Sequence, residues 1–104
     1  MGRQRRLLEE GWLTQSEVAR VLGVTPAAIH KAIATGRLQA VHDPRWSGPL
    51  VHIEEVKRFA QTRGLQPEEV ARRIEQVGQQ AGWGPVIIAG LIGFLLGWIT
   101  ARKG

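Results

Sequence analysis

The chain contains no cysteine. Disulfides, thiolate-held metals and a cysteine nucleophile are thereby excluded, while the redox compartment stays open and nothing argues for export. Acidic residues are scarce: nine Asp and Glu stand against fourteen Lys and Arg, a formal charge of +5. Up to Leu65 the count is ten basic to six acidic, so most of the excess lies in the N-terminal part. A polyanion or an anionic membrane surface fits that balance, since net charge speaks about partners rather than fold. From Val77 to Ala101 charge of either sign disappears. Catalytic groupings are missing as well. His30, His42 and His52 fall in three different expected elements, and Glu54 and Glu55 face different directions on a helix. No glycine-rich loop with a lysine offers itself to a nucleotide. The expectation is a protein without enzymatic activity, cofactor, metal or small-molecule substrate. At 104 residues it is at most one ordinary domain, marginal in buried area unless something else stabilises it.

What is present is organised around residues 14–59. Thr14 followed by Glu17 makes a capping box, and Val18, Ala19 and Leu22 give an apolar face that ends at Gly23. Thr25 caps a second helix with Pro26 at its first position, where the missing N–H costs nothing. Ala28, Ile29, Ala32 and Ile33 form its buried side, and Gly36 closes it. Two short helices joined by Leu22-Gly23-Val24 predict a helix-turn-helix. A brief strand over 38–41, a turn-rich loop over 42–49 and a return strand at Leu50 and Val51 follow, then a third helix over 54–62 carrying Val56 and Phe59. Ahead of all this, residues 1–8 hold Arg3, Arg5 and Arg6 and too short an apolar run for a secretory signal. They suit either an arm along a phosphate backbone or a solubilising tail. Trp12 and Leu13 read as a hydrophobic staple, with Leu13 near Val18.

The motifs T-x-x-E-V-A-x-x-L-G-V-T at residues 14–25, I-x-x-x-I-x-x-G-x-L at 29–38 and E-x-V-x-x-F at 54–59 resemble the excisionase and MerR-type winged helix-turn-helix family. The resemblance covers residues 13–63, about half of the chain. It implies that the second helix enters a major groove and that the loop after it acts as a wing. The DNA-contacting residues it implies are Thr25, Ala27, Ala28, His30, Lys31, Thr35 and Arg37, with Arg45 and Trp46 in the wing. The residues support this in part. Thr25 could set the helix start beside a phosphate, and Lys31 and Arg37 could reach phosphates or a guanine edge. Ala27 and Ala28 depart from the family's polar choices and offer only apolar contact. Trp46 could equally fold back over the small core.

Beyond the boundary at 61–66, residues 67–81 form an expected connector helix. Its stripe of Val70, Ile74, Val77 and Ala81 suits pairing with a second copy or packing on the head. Residues 85–101 are almost wholly apolar. Seventeen helical residues reach roughly 25 Å, near the ~30 Å of a hydrocarbon core. Trp83 and Trp98 bracket the run as interfacial aromatics would, and Arg102 and Lys103 end it. Gly90, Gly93 and Gly97 share a face, and Gly93 with Gly97 makes a GxxxG suited to close helix contact. The ending is similar to the C-terminal anchors of small bacterial inner-membrane proteins of the ElaB type.

The expectation that follows is a mainly α protein. It comprises a basic arm (1–12), a winged helix-turn-helix head with a two-stranded wing (13–65), a connector helix (66–82), a transmembrane or oligomerising helix (83–101) and a basic tail (102–104). Its expected partners are double-stranded DNA, the lipid bilayer and further copies of itself through residues 67–101. The expected place is the inner membrane, with the head in the cytoplasm. Two other classes remain open: a structural protein of a membrane or phage assembly whose head binds protein and whose tail oligomerises, and a soluble excisionase-like factor that self-assembles through its tail.

Overall fold

The computed structural model describes residues 7–44 and 46–103, with side chains described as far as Leu95. The expected roles of Arg3, Arg5, Arg6 and Arg45, and of the side chains of Gly97, Trp98, Arg102 and Lys103, lie outside the described residues. The elements run β1 (Trp12–Thr14), α1 (Gln15–Leu22), α2 (Pro26–Ala34), β2 (Val41–His42), β3 (Pro49–His52), α3 (Ile53–Thr62), α4 (Pro67–Ala81) and α5 (Pro85–Lys103). Local chemistry sets the first two helix starts. Thr14 Oγ1 accepts from the Glu17 N–H at 3.3 Å while Glu17 Oε1 accepts from the Thr14 N–H at 2.8 Å. Thr25 Oγ1 accepts from the Ala28 N–H at 3.1 Å, with Pro26 in the first turn. Gly23, in the left-handed region, ends α1.

The sheet has three antiparallel strands in the order β1-β3-β2, where the sequence predicts two. Trp12 and Leu13 do not stop at a staple. Their segment pairs with β3, Leu13 opposite Val51 and Thr14 opposite Leu50, and Leu13 is completely buried. The strand expected over 38–41 contracts to Val41–His42 for a side-chain reason. The Gln39 N–H donates to Glu55 Oε1 at 3.1 Å, and Arg58 Nη2 donates to the Arg37 carbonyl at 3.2 Å. Groups that a longer strand would use are committed to α3.

The C-terminal part departs most from expectation. Among the described residues no helix is long and apolar enough to cross a membrane. The chain reverses after α4 through Gly82 (φ +73°) and Gly84 (φ +88°), conformations that a residue with a Cβ rarely adopts. α5 then lies back on the molecule. Ile87, Ile88, Leu91 and Leu95 join a single buried cluster with Val18, Val56, Phe59, Ile74 and Val77. Trp83 is 4% exposed, so it fills the turn between α4 and α5 and does not mark a membrane interface. Each such side chain stabilises the fold by about 1.5–3 kcal/mol when fully buried. An apolar face otherwise suited to lipid is thus used on the protein itself. The transmembrane anchor, the bilayer as partner, the inner-membrane location and the likeness to ElaB-type anchors all fall with that span. The α4 stripe is likewise internal: Val70, Ile74 and Val77 are buried within the chain, and Ala81 is exposed. The two helices approach closely at Gly78, where an added Cβ would lie 2.5 Å from Ile88 Cγ1 and 2.9 Å from Trp83 Cε3. The radius of gyration, 13.0 Å, is about that of a compact chain of this length and unlike a head on a stalk.

Candidate nucleic-acid interface

Ile29 and Ala32 of α2 enter the core and Ile33 is half-buried, while Thr25, Ala27, His30 and Lys31 are exposed. Ala28, expected on the buried side one turn before Ala32, is exposed as well. Thr25 is engaged as the cap, its oxygen accepting from Ala28, so only its hydroxyl proton remains to donate outward. At the far end Thr35 Oγ1 donates to the Lys31 carbonyl at 2.9 Å and accepts from Arg37 Nε at 3.2 Å. That chain of bonds fixes the first part of the Arg37 side chain and leaves its terminal nitrogens open.

The loop between β2 and β3 comes to the start of α2. Trp46, Gly48 and Pro49 line an open groove of about 570 Å³ with residues 14–17 (Glu17 among them) and Arg20 at α1, Val77 and Ala81 of α4, and Pro26 as its one residue from α2. Trp46 is half-buried, between the two alternatives of a free contact surface and a lid over the core. Of the predicted contacts only Trp46 lines this groove; Thr25, Ala27, Ala28, His30 and Lys31 lie outside its lining, and Arg37 lines a separate recess with Arg58 and Arg63. Arg20, in the last turn of α1, is brought into the same groove as Trp46 only by the fold, and no signal in the sequence links the two. Gly90 and Gly93 do not join this surface. They lie exposed on α5, and a Cβ at either would meet nothing within 4 Å.

His52 is the N-cap of α3. Its Nδ1 accepts from the Glu54 N–H at 3.2 Å, which leaves Nε2 as the protonated nitrogen donating to the Glu10 carbonyl at 3.1 Å. Trp12 and Phe94 stand edge-on to the ring, at 5.0 and 5.7 Å between centroids. His52 thus joins β1, α3 and α5, a structural task. His30 and His42 are exposed elsewhere, and among the described residues no group of three His, Asp or Glu could hold a metal. Arg58 and Glu55 form an ion pair at 2.7 Å, shorter than the contacts of Glu69 with Arg73 and Arg72 at 3.6 and 3.9 Å. Hydrogen bonding from Arg58, and less so from the Gln39 N–H, holds the Glu55 carboxyl below the usual carboxylate range and raises the Arg58 guanidinium.

Comparison with protein-family models, with curated proteins and with solved structures finds no match. The likeness of residues 13–63 to excisionase and MerR-type proteins therefore carries no family identity. Short cap, turn and helix signals recur wherever two small helices meet, so they can coincide without common descent. Neither DNA nor a second copy gains support as a partner from these comparisons.

Proposed function

We propose that this chain is a non-enzymatic module, without a membrane tether, that binds duplex DNA through the outer face of α2 and the β2–β3 loop. The observation that carries the reading is the shared groove of Pro26, Trp46 and Arg20, which sets the loop beside the first turn of an outward-facing helix. Lys31 on α2 and Arg37 just after it lie outside that groove and add positive charge, and both are exposed. Ala27 and Ala28 leave little to read base edges with, so backbone charge supplies most of the affinity.

Three cations on phosphates correspond to a salt slope of about −2.7, and a fall in affinity of about 40-fold between 50 and 200 mM salt. The measurement is fluorescence anisotropy of labelled duplexes of two unrelated sequences with the full-length protein. Similar affinities for both, with that salt dependence, and a slope smaller by about 1 in Lys31→Gln are expected. Absence of binding at low salt by the folded protein would overturn the proposal.

A further inference from the structure

We propose that Arg37, Arg58 and Arg63 form a phosphate-binding niche between the C-terminal ends of α2 and α3. The three guanidinium-bearing residues line one recess of about 450 Å³ with Gly36, Phe59 and Thr62. Their charges are unequally spent. Arg58 is held by Glu55, its Nη2 and Nε donating at 2.7 and 3.0 Å. Arg37 and Arg63 have no carboxylate partner among the described residues. Arg63 lies over the Phe59 ring, 5.8 Å from its centroid, and Arg37 is held through Thr35, which is itself bonded to the α2 backbone. The recess therefore carries an excess of two positive charges on partly fixed side chains. Such a fork geometry suits the oxygens of a phosphate.

Helix C-termini ordinarily repel anions, but here several of the last carbonyls are occupied by backbone N–H groups. The N–H groups of Gly36, Arg37 and Leu38 bond Ile33 and Ala32, and those of Arg63, Gly64 and Leu65 bond Phe59, Ala60 and Gln61. A single cation at each helix end would satisfy the helix dipole. Convergence of three on one recess goes beyond that need, and a bound dianion relieves their mutual repulsion.

Phosphate can arrive free or as part of a duplex backbone. The second source rests on the function proposed above; the niche itself does not. The test is a titration of the full-length protein with inorganic phosphate against chloride at equal ionic strength, followed by amide NMR. Duplex binding is measured alongside, for wild type, Arg63→Gln and Lys31→Gln. Saturable shifts at Gly36, Arg37, Thr62, Arg63 and Gly64 are expected, unaltered by Lys31→Gln and weakened several-fold by Arg63→Gln with the spectrum otherwise folded. If Arg63→Gln also lowers the salt slope of duplex binding by about 1, the duplex backbone is the source. Phosphate shifts without duplex binding, or with duplex binding indifferent to Arg63, assign the niche to free phosphate or a small phosphorylated ligand. Shifts that are absent, or no larger than those from chloride, overturn the niche whether or not the duplex binds.

Discussion

Gly78 and Gly90 both sit inside helices, yet a methyl group would meet opposite surroundings at the two. At Gly90 nothing lies within 4 Å, so Gly90→Ala should gain the ordinary helix preference, about 1 kcal/mol. At Gly78 the same gain is opposed by contacts at 2.5 Å to Ile88 and 2.9 Å to Trp83, both buried. Overpacking of this kind costs typically 1–3 kcal/mol, so Gly78→Ala should be net destabilising by about 1 kcal/mol. Urea denaturation of the two variants checks both signs, and a stabilised Gly78→Ala would count against the close α4–α5 approach. Glu55 supports a second expectation at this scale. Its folded-state pKa is lowered, so its contribution is present above the unfolded carboxylate pKa and lost as pH falls through the folded value. The difference in melting temperature between wild type and Glu55→Gln should therefore hold constant above about pH 5 and shrink below about pH 4. The pair is largely exposed and the effect small, and salt should reduce it further.

Among the elements, those with a short-range cause were legible. Thr14 with Glu17 and Thr25 with Pro26 lie within three residues of what they cap, and α1 and α2 begin where those signals place them. β1 was not legible, because three residues cannot show a period of two and its partner β3 lies almost forty residues away. The shortened β2 was hidden for a similar reason: Glu55 and Arg58, from α3, take up the backbone of residues 37 and 39. α5 misled through composition. A charge-free apolar run reads alike whether lipid or protein covers it, and only the packing of Ile87, Leu91 and Leu95 distinguishes them. Gly78 is where a second helix of the same chain fits, a contact that the stripe of Val70, Ile74 and Val77 does not reveal. Of the interface, the α2 face follows from helical periodicity, whereas Arg20 and the Arg58–Arg63 recess depend on neighbours distant in sequence.

On the scale of the whole molecule, one core runs from Leu8 to Leu95. Removing residues 83–104 would strip Trp83, Ile87, Ile88, Leu91 and Leu95 from it. At about 1.5–3 kcal/mol each, their loss is comparable to the entire net stability of a domain, about 5–15 kcal/mol. A chain ending at Gly82 should lose its cooperative thermal transition by circular dichroism. A truncated chain that melts sharply within a few degrees of the intact one would show α5 to be dispensable. The position of that helix also sets an order of events during synthesis. When the ribosome has made Val77, the apolar faces of α3 and α4 are already translated, and the segment that covers them is not. At about 5–20 residues per second, Leu95 follows roughly one to four seconds later. For that interval the nascent chain displays a sticky surface with nothing of its own to place on it, so slowing translation between codons 78 and 95 should lengthen its exposure to chaperones.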